Sequence, residues 1–356
     1  WQAPVQLTAE VSGSPDSPRG TLAIQVPAWQ LSTLQGDGVT LDLSYAEHAL
    51  QAKIQAAKIT TEVAPIGRVQ LGATVDLGWR GERLAVSADV RYGDSPWLHA
   101  QASTQLSQAE ALRRGASLLP ELPISASLDM PRFPLPAGLP ATGQIAVQAQ
   151  VTGTVAKPAA TATIQASDIE VSTWRVGGIL AHAQLESGGK RLLHVQAAID
   201  PQARGVAPSL PANSAAAPGM LQLQADLPLP FSLLDPALHA SLVAKDYQLN
   251  YESPSSSKSA LRRARGTLSA DLHIVGAAPQ PIADGSLRLA KGEVAATTLP
   301  QLLREIALDL QLSKQGRLTL RELSTKAGGG SLHSQGQVDV QGGQLREVKL
   351  SAQAKN

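Results

Sequence analysis

The sequence predicts an all-β protein: a long antiparallel, up-and-down sheet curled into an elongated U-shaped, taco-like groove with an apolar interior and at most one or two short helices. Three observations lead there. Apolar and polar residues alternate with a period of two along most of the chain, the mark of strands with one apolar and one wet face. The connections between these runs are short and carry Gly, Pro, Asp or Glu, as antiparallel hairpins require. One strand-loop-strand unit also occurs three times at fixed offsets.

The clearest copy of that unit runs from Gly266. Leu268, Ala270, Leu272 and Ile274 alternate with Ser269, Asp271 and His273, Gly276 stops the strand, and after a proline-containing loop Leu287 and Leu289 open a second strand. Gly143, Gly153 and Pro158 stand 123 positions before Gly266, Gly276 and Pro281. In that copy the strands hold Ile145, Val147, Val151 and Ile164. Gly13 and Pro18 stand 140 positions before Gly153 and Pro158, between strands holding Leu7, Val11, Leu22 and Ile24. Blocks of about 1–140, 141–265 and 266–356 follow, each of several strands within one continuous repeating groove.

Composition narrows the function. Eleven aromatic residues among 356, with 43% apolar residues drawn mostly from Ala, Leu, Val and Ile, cover a sheet face but do not fill a thick core. A net charge of +1 offers nothing to nucleic acid. There is no cysteine, hence no disulfide framework or thiolate metal site. No stretch approaches the roughly 20 apolar residues of a membrane helix, and no signal peptide is present. The start at Trp1 suggests a mature or excised portion of a longer protein.

From Val5 to Leu106 almost every segment reads as strand, with turns at Gly36-Asp37-Gly38, Pro65-Ile66-Gly67, Gly81-Glu82 and Gly93-Asp94-Ser95-Pro96. Ser107 to Leu119 breaks the period. It is either a short helix capped by Ser107, with Glu110 in its first turn and Leu112 and Leu119 on one side, or an irregular connection. Strands near Ile179 to Leu185 and Leu193 to Ile199 precede 201–219, a Pro/Ala/Ser segment expected to be a mobile loop, and 253–265 is expected to be a second, basic one. Pro300 to Arg304 is compatible with one helical turn. Leu308 and Leu310, then Leu318 and Leu320, resume the alternation. Gly328-Gly329-Gly330 reads as a tight turn or bulge, without the Lys-Ser/Thr or helix of a phosphate loop.

Catalytic chemistry is not visible. His182, His194 and His273 fall on the wet face of their strands, and only His273 has an acidic residue, Asp271, two positions away, a weak metal signal. No serine sits in a nucleophile elbow and no carboxylate pair stands in a context that raises a pKa. We therefore expect no enzyme, no cofactor and no metal.

What covers the apolar face decides the fold. A β-sandwich ends after about seven to ten strands, whereas this meander runs to roughly two dozen. An outer-membrane barrel carries aromatic girdles, and Trp29, Trp79, Trp97 and Trp174 look isolated here. A sheet curled into a trough remains. The element formed by a glycine, four alternating apolar residues, a second glycine, a proline and a second strand, at Gly143 to Ile164 and Gly266 to Leu289, resembles the translocation and assembly module family of TamB and its AsmA-like relatives. The run Leu106 to Pro123 before the second copy looks like the connection preceding such units there.

The resemblance implies a β-groove bridging the periplasm of a Gram-negative bacterium, anchored to the inner membrane in the full-length protein. Along it phospholipid acyl chains move between inner and outer membranes. It also implies a link to outer-membrane protein assembly through the barrel protein TamA. The groove is expected to be lined by Leu7, Val11, Leu22 and Ile24, by Ile145, Val147, Val151 and Ile164, and by Leu268, Leu272, Ile274, Leu287, Leu289, Leu308, Leu310, Leu318 and Leu320. Strands stacked about 4.8 Å apart give two dozen strands a length on the order of 100 Å. The alternative is a structural scaffold or secreted adhesin-like rod that carries no lipid; a parallel β-helix of that kind shows a rung period near 20 residues instead.

Overall fold

A computed structural model describes the whole chain except residues 1–3, 15–16, 32–33, 64–66, 137–138, 140, 172–173, 186–190, 204–217, 230–238, 254–259, 277–281, 300, 342–343 and 356. It is nearly all strand: one antiparallel sheet of twenty strands, not closed into a barrel. The strands are β1 (Gln6–Ser14), β2 (Ser17–Leu31), β3 (Leu34–Ala46), β4 (Ala49–Val63), β5 (Gly67–Arg80), β6 (Arg83–Tyr92), β7 (Ser95–Gln105) and β8 (Ile124–Pro134). They continue with β9 (Ala141–Gly153), β10 (Pro158–Val171), β11 (Trp174–Leu185), β12 (Arg191–Asp200), β13 (Leu221–Leu229) and β14 (His239–Glu252). The last six are β15 (Leu261–Val275), β16 (Ile282–Ala296), β17 (Leu303–Leu312), β18 (Arg317–Ala327), β19 (Gly330–Gln341) and β20 (Gln344–Lys355). From β1 to β8 and from β11 to β20 each strand pairs with its neighbours in sequence, an up-and-down order.

By compactness the chain forms two units, one of Trp1–Leu139 with Ile145–Thr163 and one of Pro140–Gln144 with Ile164–Asn356. The repeat read from the sequence has a backbone counterpart. Gly13, Gly153 and Gly276 have φ of 96°, 98° and 97°, left-handed values that favour glycine, at the same place in each copy. The 123-residue offset also joins Asp168 (φ 53°) to Lys291 (φ 52°), two non-glycine residues with the same conformation.

In the first unit α1 (Gln108–Arg114) leaves β7 with Ser107 as its cap, the hydroxyl accepting the Glu110 N–H at 3.0 Å. The short helix is thus the correct one of the two readings. Gly115 (φ 54°) ends it and a 3-10 helix, Gly115–Glu121, follows. Because that turn has three residues, Leu118 is buried at 6%, while Leu119, expected on one side of the helix with Leu112, is 53% exposed. Trp79 Nε1 donates to Leu106 O at 2.8 Å and Gln108 Nε2 to His48 O at 3.0 Å, tying the segment to β5 and to the β3–β4 turn.

Two further expectations change. Leu303 and Arg304 belong to β17 and Gln301 to a bend, so the helical turn at Pro300 to Arg304 does not form; the alternation from Leu303 pairs with β18 instead. The segment 261–265 is strand, the start of β15, where Arg263 and Arg265 reach Glu252 on β14 at 2.9 and 3.4 Å; 254–259 and 204–217 lie outside the described residues. Gly328 (φ 56°) and Gly329 (φ 94°) form the two-residue hairpin between paired Ala327 and Gly330.

Candidate functional site

Strand register builds each apolar face as rows of directly opposed side chains. In the first unit Leu7, Ile24, Leu41, Ile54, Val75, Ala88, Ala100 and Leu128 form one row from β1 to β8. Leu22 lies in the next row with Leu43, Leu77 and Val86. Val11 faces Gly20 and is 88% exposed, and Leu7 is 64% exposed. Ile145, Val147 and Val151 on β9 are half-buried between exposed Gln144, Gln148, Gln150 and Thr152.

In the second unit Leu272 stands in a row with Ala197, Leu223 and Leu242 on one side and with Leu312, Leu318 and Val338 on the other. Leu268, Leu289 and Leu308 align with Tyr247 and Leu323, and Leu287, Leu310 and Leu320 align with Ala270. Ile274 opposes Ala240 and Ala283. Ile164 is 40% exposed on β10. The expected residues of β15 to β18 are therefore neighbours on one face.

No second layer covers these rows among the described residues, and no large side chain is fully buried. A buried apolar cluster of the second unit is Ala244, Tyr247 and Ala270, each 4% exposed, packed on by Ile199, Leu221, Leu242, Leu249 and Leu268. Burial raises the Tyr247 hydroxyl pKa, with the Asp200 charge adding to it. This spot sits beside a run of β-bulges. β14, β16, β17 and β18 each insert an extra residue within three positions of the Tyr247-Leu268-Leu289-Leu308-Leu323 row. Asp246, Lys291 and Glu305 there have φ of 51–52°. Tyr247, Leu249 and Leu323 join the face only because the bulges reset the alternation, so the two-residue period missed them; Ile306 keeps the alternation of Leu308, Leu310 and Leu312.

The first unit is hollow on its other face. A cavity of about 1000 Å³ is walled by Thr21, Ser44, Gln51, Lys53, Asp76, Ser87, Gln101, Ser103, Ser127, Gln150 and Thr152. Leu22, Leu43 and Leu77 border it through their strands' backbone, since alternate side chains point to opposite faces. A further hollow of about 490 Å³ joins Lys53, Gln55, Thr74, Asp89, Arg91, His99 and Asp129. At one end of the apolar face Tyr92, Trp97 and buried Phe133 cluster, with ring centroids 5.4 and 6.3 Å from Phe133, so Trp97 is not isolated as it looked in the sequence.

Charges on the wet faces are paired across strands. Arg288 meets Asp309 at 3.0 Å and Arg317 meets Asp339 at 2.8 Å, both directly opposed. The hydrogen bond from Arg317 holds the Asp339 carboxyl below its usual pKa, and that from Arg263 does the same for Glu252. Such solvent-screened pairs contribute little to stability. His99 lies 2.6 Å from Asp89, and His194 contacts Asp226. The weak His273 and Asp271 pair is 3.6 Å apart. Among the described residues no three His, Asp or Glu side chains converge on a common point, and no helix is long and apolar enough to cross a membrane. No family model, no curated protein and no solved structure matches the chain.

Proposed function

We propose that this chain is part of a lipid conduit of the Gram-negative periplasm, carrying phospholipid acyl chains along its apolar face between inner and outer membranes, as the TamB-like pattern implies. The observation that carries the reading is the uncovered apolar face: rows of Leu, Ile and Val that continue from strand to strand with no second layer over them. Uncovered apolar area gains about 25 cal/mol for each Å² removed from water, which an acyl chain laid across the rows would do. Contiguous exposed apolar surface on this scale marks an interaction site in most proteins. Headgroups stay in water, and movement along the face needs no bond to be made or broken. The paired ions and the polar hollow do not supply a reaction.

Ile274→Asp with Leu289→Asp tests it. Ile274 is 40% exposed and Leu289 half-buried, so a face open to lipid keeps its β-sheet circular dichroism with these charges in place. Photo-crosslinking to phospholipid is expected to be lost along β15 to β17. Failure of the variant to fold would show that protein packs on this face, in favour of a scaffold without lipid transfer. Undiminished crosslinking in a folded variant would show that these rows are not the path.

A further inference from the structure

Among the described registers β20 pairs with β19 and with no other strand, so its far side is an open edge. It also exposes two large apolar side chains, Val348 at 46% and Leu350 at 62%. We propose that this edge is a docking site for a second copy of this chain, which adds its own β20 antiparallel about a two-fold axis at Ser351.

Backbone direction tells which groups await a partner. Ser334 Oγ on β19 donates to Ser351 O at 3.1 Å, and a Cβ on Gly336 would collide with Lys349 O, so both carbonyls point at β19. In an antiparallel strand the N–H and C=O of one residue point the same way, and successive residues alternate sides. Val348, Leu350, Ala352 and Ala354 therefore aim their backbone groups away from β19, a template for another strand. From Glu347 to Lys355 the pairing with β19 runs without a shift, whereas Arg346 is the extra residue of a bulge. The regular stretch can form about eight hydrogen bonds with its copy.

Charge selects the register. Outward-facing residues must meet outward-facing residues, so the axis falls on a residue and not between two. With the axis at Ser351, Leu350 opposes Ala352 of the second copy, Val348 opposes Ala354, and Glu347 opposes Lys355, each pair occurring twice. An axis at Ala352 sets Lys349 against Lys355, one at Leu350 sets Glu347 against Gln353, and one at Lys349 sets that lysine against itself. An axis at Val348 pairs Glu347 with Lys349 but runs the bulged Arg346 against Leu350. Only Ser351 joins acid to base within the regular stretch. The axis stands normal to the sheet, so the apolar row of Val338 and Val348 continues into Ala354 of the second copy. β1 does not offer the same match, since Glu10 is its one charge and a second β1 brings it no cation.

The test is sedimentation velocity of the whole chain over a range of concentrations, and a reversible dimer is expected. Glu347→Lys and Lys355→Glu should each weaken it by at least about 3-fold, because one reversal strikes both symmetry-related pairs. The double variant should restore it, and within one chain the two positions stand about 27 Å apart along β20 and cannot meet. Ser351→Cys gives a second reading in a chain that has no cysteine. The axial pair is one without hydrogen bonds, with Cα atoms about 4.5 Å apart and within disulfide reach, so mild oxidation should yield a cross-linked dimer. Thr8→Cys on β1 should not. A strict monomer at high concentration overturns the proposal. So does a double variant no tighter than the single ones, growth beyond the dimer, or Thr8→Cys that cross-links as fast as Ser351→Cys.

Discussion

The two units use the same alternating strands but interrupt the alternation to different degrees. Through β2 to β8 only β4 and β7 carry an extra residue among the described registers, and the cavity lies on the wet face. Through β14 to β18 bulge follows bulge, and the buried cluster of Ala244, Tyr247 and Ala270 lies beside them. An extra residue bends its strand and increases local twist. The alternation thus decides which side chains share a face, while the bulges decide where that face folds inward.

The largest effect expected from this contrast is at Tyr247. Truncation to Ala removes an aromatic side chain that is 4% exposed, at about 3–5 kcal/mol. Leu77→Ala, on a half-buried and unbent row of the first unit, should cost less than half as much by chemical denaturation. Deleting Asp246 sharpens the point. It removes the extra residue of β14 but leaves Tyr247 on the same face opposite Leu268, so pairing survives and the bend is lost. Quenching of Tyr247 fluorescence by acrylamide should then rise, in a background where the other three tyrosines are Phe. Unchanged quenching would mean that the bulge does not bury the ring.

Much of this was legible in the sequence. The alternation located most strands, though not β8, β13 or β14, and the offsets of 123 and 140 residues picked out glycines that share one φ. Periodicity is a property of one strand, however, and three features belong to several. The reset of parity at Asp246 hid Tyr247 and Leu249, and the one on β18 hid Leu323, from a two-residue count. The pairing of His194 with Asp226 needs the register of β12 and β13, while a scan of i, i+2 neighbours finds only His273 with Asp271. Trp97 meets Phe133 from 36 positions away in the chain.

A middle-sized effect separates two left-handed glycines of the first unit. A Cβ at Gly153 would come within 2.6 Å of Lys157 O, whereas one at Gly93 would have nothing within 4 Å. Both positions hold a positive φ, which costs a non-glycine residue about 1–3 kcal/mol. Gly153→Ala should therefore lower stability by more than Gly93→Ala, because the backbone clash adds to the strain. Equal losses in urea would mean that conformation alone accounts for the glycine at this place in the repeat.

The smallest effect is electrostatic. Arg317 donates to the Asp339 carboxylate across β18 and β19, which holds the Asp339 pKa below its ordinary value. A carboxyl with a depressed folded-state pKa contributes stability that is present above its unfolded pKa of about 4 and is lost as pH falls through the folded value. Arg317→Ala should accordingly lower the melting temperature slightly at neutral pH, with the gap closing as the solution is taken from about pH 5 to about pH 2. Because both side chains are exposed, roughly 1 M salt should shrink the neutral-pH gap as well. A gap that persists in acid would assign the effect of Arg317 to its aliphatic stem packing along the strand and not to its charge.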